Sequence, residues 1–410
     1  MHMTSEQQRI AAIADDLAAR FAARVAPAEQ AGRFPIENWR DLHDSGYLRL
    51  VIPCRYGGAG ASVLDMVIAQ EHLGRGDAST ALGAAMEISV LGRAIETGAW
   101  PEPVFAEICT ELATSGGGLN NCVTETELGS ISRGGTPATR AEPTDGGWLV
   151  SGHKIFVTAA PALRFLVTGV VLPADDSAPN GSYANAIIRA PAPGLTIRTT
   201  WQHSLALRTA GNEDVIYDRV FVPDAFMVER RPLGVPTKAG PGANIWALPL
   251  AAVYLGVGQA ALDTACDYAT TRTPPALGTS IAGQAHIQQW LGSMQIALDA
   301  ARTVLRDTAR AWTEEPDTRP TLAARIAVAK YLCTNAACTV TDTALRVAGG
   351  FSLTNGLPLE RYFRDARAGL FAPPQDDLAL AIAGRAALAA RAEATAIPPA
   401  ATLLMTKAAE

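Results

Sequence analysis

The residues best equipped for chemistry lie between Asn120 and Ala160, in NNCVTETELGSISRGGTPATRAEPTDGGWLVSGHKIFVTAA. This stretch supplies hydroxyls at Thr124, Ser130 and Thr158, small residues at Gly129 and Ser130 that let backbone approach a ligand closely, and a flat aromatic at Phe156. Together these can hold a planar ring with polar edges. A Gly/Ser turn between two strands is equally what a tight connection shows, so residue types alone leave both readings open.

Other chemistry is easier to exclude. The six cysteines, Cys54, Cys109, Cys122, Cys266, Cys333 and Cys338, are scattered, with no paired spacing and no histidine cluster. The expectation is therefore no disulfide framework and no metal site. IPCRYGGAG is glycine-rich but lacks the lysine and Ser/Thr of a phosphate-cradling loop. A formal net charge of -6 without basic blocks argues against nucleic acid as a partner. No apolar run reaches the roughly 18 residues of a membrane span, and MHMTSEQQRI lacks the regions of a signal peptide, so a cytoplasmic location is expected.

The 410 residues, 48% of them hydrophobic and 18% charged, suit two or three packed domains. Apolar residues recur at helical spacing from Ser5 to Val25, and Pro27 is expected to end that helix. A short helix in FPIENWRDLHDSGYLRL follows, then helices over Val63–Gly74, Ser79–Gly98 and Pro101–Thr114. From about Asn120 to Pro236 the apolar period changes to two, in GWLVSG, IFVTAA, FLVTGVVL, YANAIIRA, LTIRTTW and DVIYDRVFV, which predicts antiparallel strands. Long amphipathic patterns then return over Ile245–Thr271, Gln284–Glu315, Thr321–Ala348 and Asp376–Ala394. The expected fold is α+β and multidomain: an N-terminal α-helical domain over 1–118, a middle antiparallel β-domain over 119–238 and a C-terminal four-helix bundle over 239–410.

Several segments resemble one family. CVTE followed by GS and then GGWLVSGHKIFVT is similar to the flavin-binding β-domain of the acyl-CoA dehydrogenase superfamily, and WRDLHDSGYL, IPCRYGGAG, LALRTAGNEDVIYDRVFVP and ALRVAGGFSLTNGLPLERYFRDARAG match further family motifs. The resemblance implies FAD bound between subunits of a homo-oligomer, a dimer or tetramer, with an acyl thioester on CoA or an acyl carrier protein as substrate and an electron-transfer partner. Carried over residue by residue, it places Val123, Thr124, Gly129, Ser130, Phe156 and Thr158 around the flavin ring and ribityl chain. It places Arg272, Gln284, Arg346 and the Gly349–Gly350 turn, from a neighbouring subunit, at the pyrophosphate and adenine. The family more often has tryptophan at Phe156 and glutamine at Arg346.

The catalytic place departs from the pattern. A family dehydrogenase removes the acyl α-proton with a glutamate eight residues after the aspartate of R-D-A, and here that count from Asp365 reaches Pro373. The alternative family place, at the start of a bundle helix, falls near Trp246. Neither accepts a proton. Glu87 in MEISVLG is expected at the acyl pocket, either as a substitute base with a raised pKa or as a polar boundary. Asp376 and Asp377 suit a helix N-terminus, and His203 suits a loop. The resemblance thus leaves three functions: an acyl-thioester oxidoreductase with a displaced base, a flavin monooxygenase of the same fold, or a non-catalytic subunit completing a partner's FAD site.

Overall fold

The computed structural model describes residues 3–128, 135–235 and 244–396. Helix α1 (Ser5–Gln30) opens on a reciprocal cap: the Thr4 hydroxyl accepts the Gln7 N–H at 3.2 Å and the Gln7 side chain accepts the Thr4 N–H at 3.1 Å. Its stripe of Ile10, Leu17, Phe21 and Val25 is buried. Contrary to expectation, Pro27 lies inside this helix. It sits in the last turn, where its missing N–H removes a single bond, and its own C=O still accepts the Ala31 N–H at 3.1 Å.

Helices α2 (Ile36–Asp44), α3 (Val63–Leu73), α4 (Ala78–Thr97) and α5 (Glu102–Ser115) complete the N-terminal layer. Asp77 caps α4 through the Ser79 and Thr80 N–H groups at 3.0 and 3.2 Å, and Gly98 ends it with φ +57°.

Eight strands follow: β1 (Gly118–Cys122), β2 (Arg140–Thr144), β3 (Gly147–Val157), β4 (Leu163–Leu172), β5 (Ser182–Arg189), β6 (Leu195–Arg198), β7 (Glu213–Pro223) and β8 (Met227–Pro232). They form one sheet in the order β6-β7-β3-β2-β4-β5-β8, with β1 added beside β4. Most pairs are antiparallel as expected, but β1 and β2 both run parallel to β4. GWLVSG and IFV, read separately in the sequence, are one bulged strand, β3. Strands β4 and β5 are buried on nearly every residue, which explains the unbroken apolar run FLVTGVVL.

The C-terminal part holds α6 (Ala247–Thr271), α7 (Ala285–Glu314), α8 (Ala323–Ala348), α9 (Leu359–Ala368) and α10 (Asp376–Ala396). The four expected bundle helices are present, and α9 is added to them. Helix α6 is buried along most of its length because it packs on α3 and α4 as well as on α7 and α8. The α3–α6 crossing needs glycine on both sides: a Cβ on Gly74 would stand 2.4 Å from the Val253 carbonyl oxygen, and one on Gly256 would stand 2.2 Å from that of Glu71. Charge also ties these layers. The buried Glu71 carboxylate of α3 accepts from Arg302 Nε and Arg306 Nη2 of α7, each at 2.7 Å.

Candidate active site

The loop after β1 is tied to the end of β3 by a buried ion pair. Lys154 Nζ, with a wholly buried side chain, donates to Glu125 Oε1 at 2.6 Å. Glu125 also accepts the Ala138 N–H at 2.6 Å, the Thr139 N–H at 3.1 Å and the Thr139 hydroxyl at 2.6 Å. Burial works to raise the Glu125 carboxyl, but these donors outweigh it and hold its pKa at about 2. One residue to each side, the Ile155 N–H donates to the Thr124 C=O at 3.0 Å. Asn120 Nδ2 donates to the Thr158 C=O at 3.0 Å. Val123, Thr124, Phe156 and Thr158, separated in sequence, are thereby drawn to one place. Gly129 and Ser130 lie outside the described residues.

Phe156 is shaped as a platform. Its backbone adopts φ +58°, an uncommon state for a bulky side chain, and its residue is 56% exposed. The indole of Trp201 meets it edge-on, centroids 5.5 Å apart at 76°. Trp201 Nε1 in turn donates to the Leu207 C=O at 2.9 Å. The outer face of the phenyl ring is left open for a flat partner.

The second predicted group gathers where α6, α7 and α8 end or begin. Arg272 follows α6 and lays its guanidinium 4.8 Å from the centroid of Phe351, just beyond the Gly349–Gly350 turn. Its C=O accepts the Ile281 N–H at 3.0 Å, which brings the chain round to Gln284 immediately before α7. Gly349 has φ +58°, and a Cβ at either glycine would meet nothing within 4 Å. Arg346, which the resemblance assigns to a phosphate, makes an exposed ion pair one helical turn away, Nε to Asp342 Oδ2 at 3.0 Å.

Beside β1, a cavity of about 370 Å³ opens between the helices. Met86, Val90, Trp246, Leu250, Ile326 and Leu378 give it apolar walls, and Pro373 lies on it as well. Trp246 and Pro373, the two places to which the resemblance assigns a base, therefore face one cavity, and neither is an acid. Its polar lining consists of Ser89, Arg93, Asn121, Asn244 and Gln375. Arg93 donates to Glu229, which also accepts Trp100 Nε1 at 3.0 Å. Gln375 Oε1 is buried without a partner among the described residues. Asn121 stands two residues before Val123, so the cavity adjoins the Phe156 patch.

Glu87, Asp376 and His203 are not among the residues that line this cavity. Met86, Ser89 and Val90 of α4 line the cavity, but Glu87 between them does not. Its carboxyl is fully buried against β1, where Oε2 accepts the Leu119 N–H at 3.2 Å. Burial pushes its pKa to about 8, against the Leu119 N–H, which lowers it. Asp376, at the start of α10, accepts from Lys330 Nζ at 3.3 Å and Asn335 Nδ2 at 2.9 Å. His203 lines a different hollow with Glu29, Gln202 and Arg208. No group of metal-binding side chains is found among the described residues.

Comparison with known proteins agrees with this architecture. The family model for the acyl-CoA dehydrogenase N-terminal domain matches residues 4–102, and that for the C-terminal domain matches 244–388. The putative acyl-CoA dehydrogenase YdbM of Bacillus subtilis (strain 168) is 40% identical over 371 residues, 90% of this chain and 93% of the relative. The chain belongs to the acyl-CoA dehydrogenase family. Within that family it is also similar to L-evernosamine nitrososynthase of a Micromonospora species, 29% identical over 87% of this chain and 84% of the relative. Butyryl-CoA dehydrogenase from Megasphaera elsdenii shares the fold at TM-score 0.83 and 23% identity, covering 95% of this chain and 99% of its own. Dibenzothiophene monooxygenase TdsC from Paenibacillus sp. A11-2, solved with FMN and indole, shares it at TM-score 0.81 and 21% identity, covering 93% and 98%. The fold thus serves both dehydrogenases and oxygenases, and the choice rests on this chain's own residues.

Sequence reasoning passed over Arg93, Gln375, Trp201 and the Glu125–Lys154 pair. The ion pair left a signal: Lys154 interrupts a β-strand at a position whose neighbours in the alternation are apolar, where a charge needs a buried partner.

Proposed function

We propose that this chain is a flavin-dependent oxygenase of the acyl-CoA dehydrogenase fold, acting on a small and largely apolar substrate held in the cavity lined by Trp246 and Pro373. One observation carries the reading. No carboxylate lines the cavity among the described residues. Desaturation of an acyl thioester needs an acceptor for the α-proton, and a positioned base contributes roughly 10²- to 10⁴-fold. Oxygenation by a reduced flavin needs no such base.

The residues present fit a flavin. The open phenyl face of Phe156 suits the planar ring, while Val123, Thr124 and Thr158 supply backbone and hydroxyl partners at its edge. Arg272 beside the open Gly349–Gly350 turn suits a pyrophosphate, which favours FAD over a shorter flavin. These two sets are held by separate contacts, which suits a site closed by a second copy of the chain, with Arg272 delivered in trans. When bound and reduced, the flavin supplies two electrons for the activation of O₂. The protein contributes a chamber with apolar walls, and Arg93, Asn121 and Gln375 orient the polar end of the substrate.

An acyl-thioester dehydrogenase remains the competing reading, favoured by the similarity to YdbM. The two part in one experiment on the FAD-loaded protein. Mixed anaerobically with a panel of acyl-CoA thioesters, the flavin is expected to keep its visible absorbance. Reduced by an external donor and exposed to air with a small aromatic or amine panel, it is expected to yield an oxygenated product seen by mass spectrometry. Rapid bleaching by an acyl-CoA would overturn the proposal.

A further inference from the structure

Helix α9 carries LERYFRDARA, where Asp365 stands among Arg361, Arg364 and Arg367. A surface aspartate there would pair with an arginine. Asp365 is only 2% exposed and spends its Oδ1 on a backbone group instead, accepting the Leu207 N–H at 2.7 Å. The same helix holds the same loop at a second point, where Arg364 Nη1 donates to the Leu205 C=O at 3.2 Å.

Leu207 needs holding. Its φ is +54°, a left-handed conformation that a branched side chain disfavours and that persists only where its surroundings fix it. Its C=O accepts both Trp201 Nε1 at 2.9 Å and the Ala210 N–H at 3.0 Å. From there the loop grips the end of β3 on two sides. Trp201 packs edge-on against Phe156, and the Ala210 C=O accepts the Ala159 N–H at 2.8 Å, with Ala159 itself at φ +59°. Phe156 is held at the first grip, and Thr158 lies between it and the second.

We propose that Asp365 is a positioning residue which, through Leu207, fastens the 201–211 loop and so sets the angle of the Phe156 face against the flavin. The proposal rests on the reading that Phe156 faces the cofactor. Asp365 touches neither flavin nor substrate. It converts a strained loop into a fixed clamp, so that the ring platform is formed before anything binds.

The test uses the full chain labelled with 5-fluorotryptophan, with the Trp201 resonance assigned from Trp201→Phe. In Asp365→Ala, the Trp201 signal of the flavin-free protein is expected to shift or broaden, and flavin affinity to fall about tenfold, the size of leaving one buried backbone N–H without its acceptor. Asp365→Asn keeps an acceptor for the Leu207 N–H and is expected to stay within about twofold of the parent. An Asp365→Ala protein that loses thermal stability but keeps its Trp201 signal and flavin affinity overturns the proposal. Should Asp365→Ala fail to fold, Trp201→Phe breaks the relay at its other end, and unchanged flavin affinity there overturns it equally. Phe156→Ala separates the two levels. If it leaves flavin affinity and the visible circular dichroism untouched, the flavin reading has failed and this proposal falls with it, whatever the Trp201 signal does.

Discussion

Lys154 and Glu125 are a buried pair that bridges β3 and the loop after β1, Nζ to Oε1 at 2.6 Å, each one residue from a backbone bond joining the same two segments. Removing one partner of such a pair is more damaging than replacing both, because the other is left buried and charged. Lys154→Met is therefore expected to lower stability by about 3–5 kcal/mol, measured by urea unfolding, and to loosen flavin binding. Acid should act at the same place. The Glu125 pKa is depressed, so its contribution is present above the ordinary carboxylate range and lost as pH falls toward about 2. Stability of the parent should fall over that acid range more steeply than that of a Lys154→Met, Glu125→Leu double variant.

Gly92 leaves room for a wall of the cavity. A Cβ there would stand 2.1 Å from the Trp246 ring, whose side chain also lines the cavity beside Pro373. Gly92→Ala must displace the indole or α4, and overpacking of this kind costs about 1–3 kcal/mol. An indole pushed inward would narrow the chamber, so KM should rise most for the bulkiest substrates. A Gly92→Ala protein with unchanged melting temperature and unchanged substrate range would mean that Trp246 does not shape the chamber.

Periodicity made the three-layer order legible, because helices such as α1 and α7 bury one stripe and leave the other face wet. It was less informative in β4 and β5, covered on both faces, and silent on their neighbours, since parallel pairing of β1 with β4 depends on tertiary packing. Pro27 misled because a proline in a last helical turn forfeits little. At the site, the motifs around Phe156 and Arg272 marked the segments involved, whereas the residues that orient them were hidden. The bond from Asp365 to Leu207 spans 158 positions, and no local spacing announces it. Glu87 looked suited to a pocket from its place in MEISVLG, yet α4 turns its carboxyl toward β1 and its neighbours toward the cavity.

Glu71 holds α3 to α7 by charge, accepting from Arg302 and Arg306 while wholly buried. Burial would raise its pKa, but the two guanidinium groups prevail and keep it below the usual range. Glu71→Gln leaves both arginines without their anion in a half-buried setting, and a loss of about 3–5 kcal/mol is expected. Thermal unfolding checks this. A shift within error would show that solvent already screens the pair.

Glu87 offers the opposite pH signature and decides whether it takes part in chemistry. Its Oε2 accepts one N–H, its Oε1 has no partner among the described residues, and burial holds its pKa at about 8. The folded protein therefore keeps the proton at pH 7, while the unfolded chain releases it near its ordinary value of 4.5. With more protons bound in the folded state, stability falls as pH rises from the unfolded value toward the folded one, then levels off above it. Glu87→Gln keeps the shape and the acceptor for Leu119 and removes the ionisation, so it should flatten that slope and equal or exceed the parent in stability at pH 9. Denaturant unfolding across this pH range measures the difference. Because Glu87 does not line the cavity, turnover by Glu87→Gln should match the parent. A Glu87→Gln protein with normal stability but turnover reduced about 10²-fold or more would make Glu87 the missing base and return the chain to the dehydrogenases.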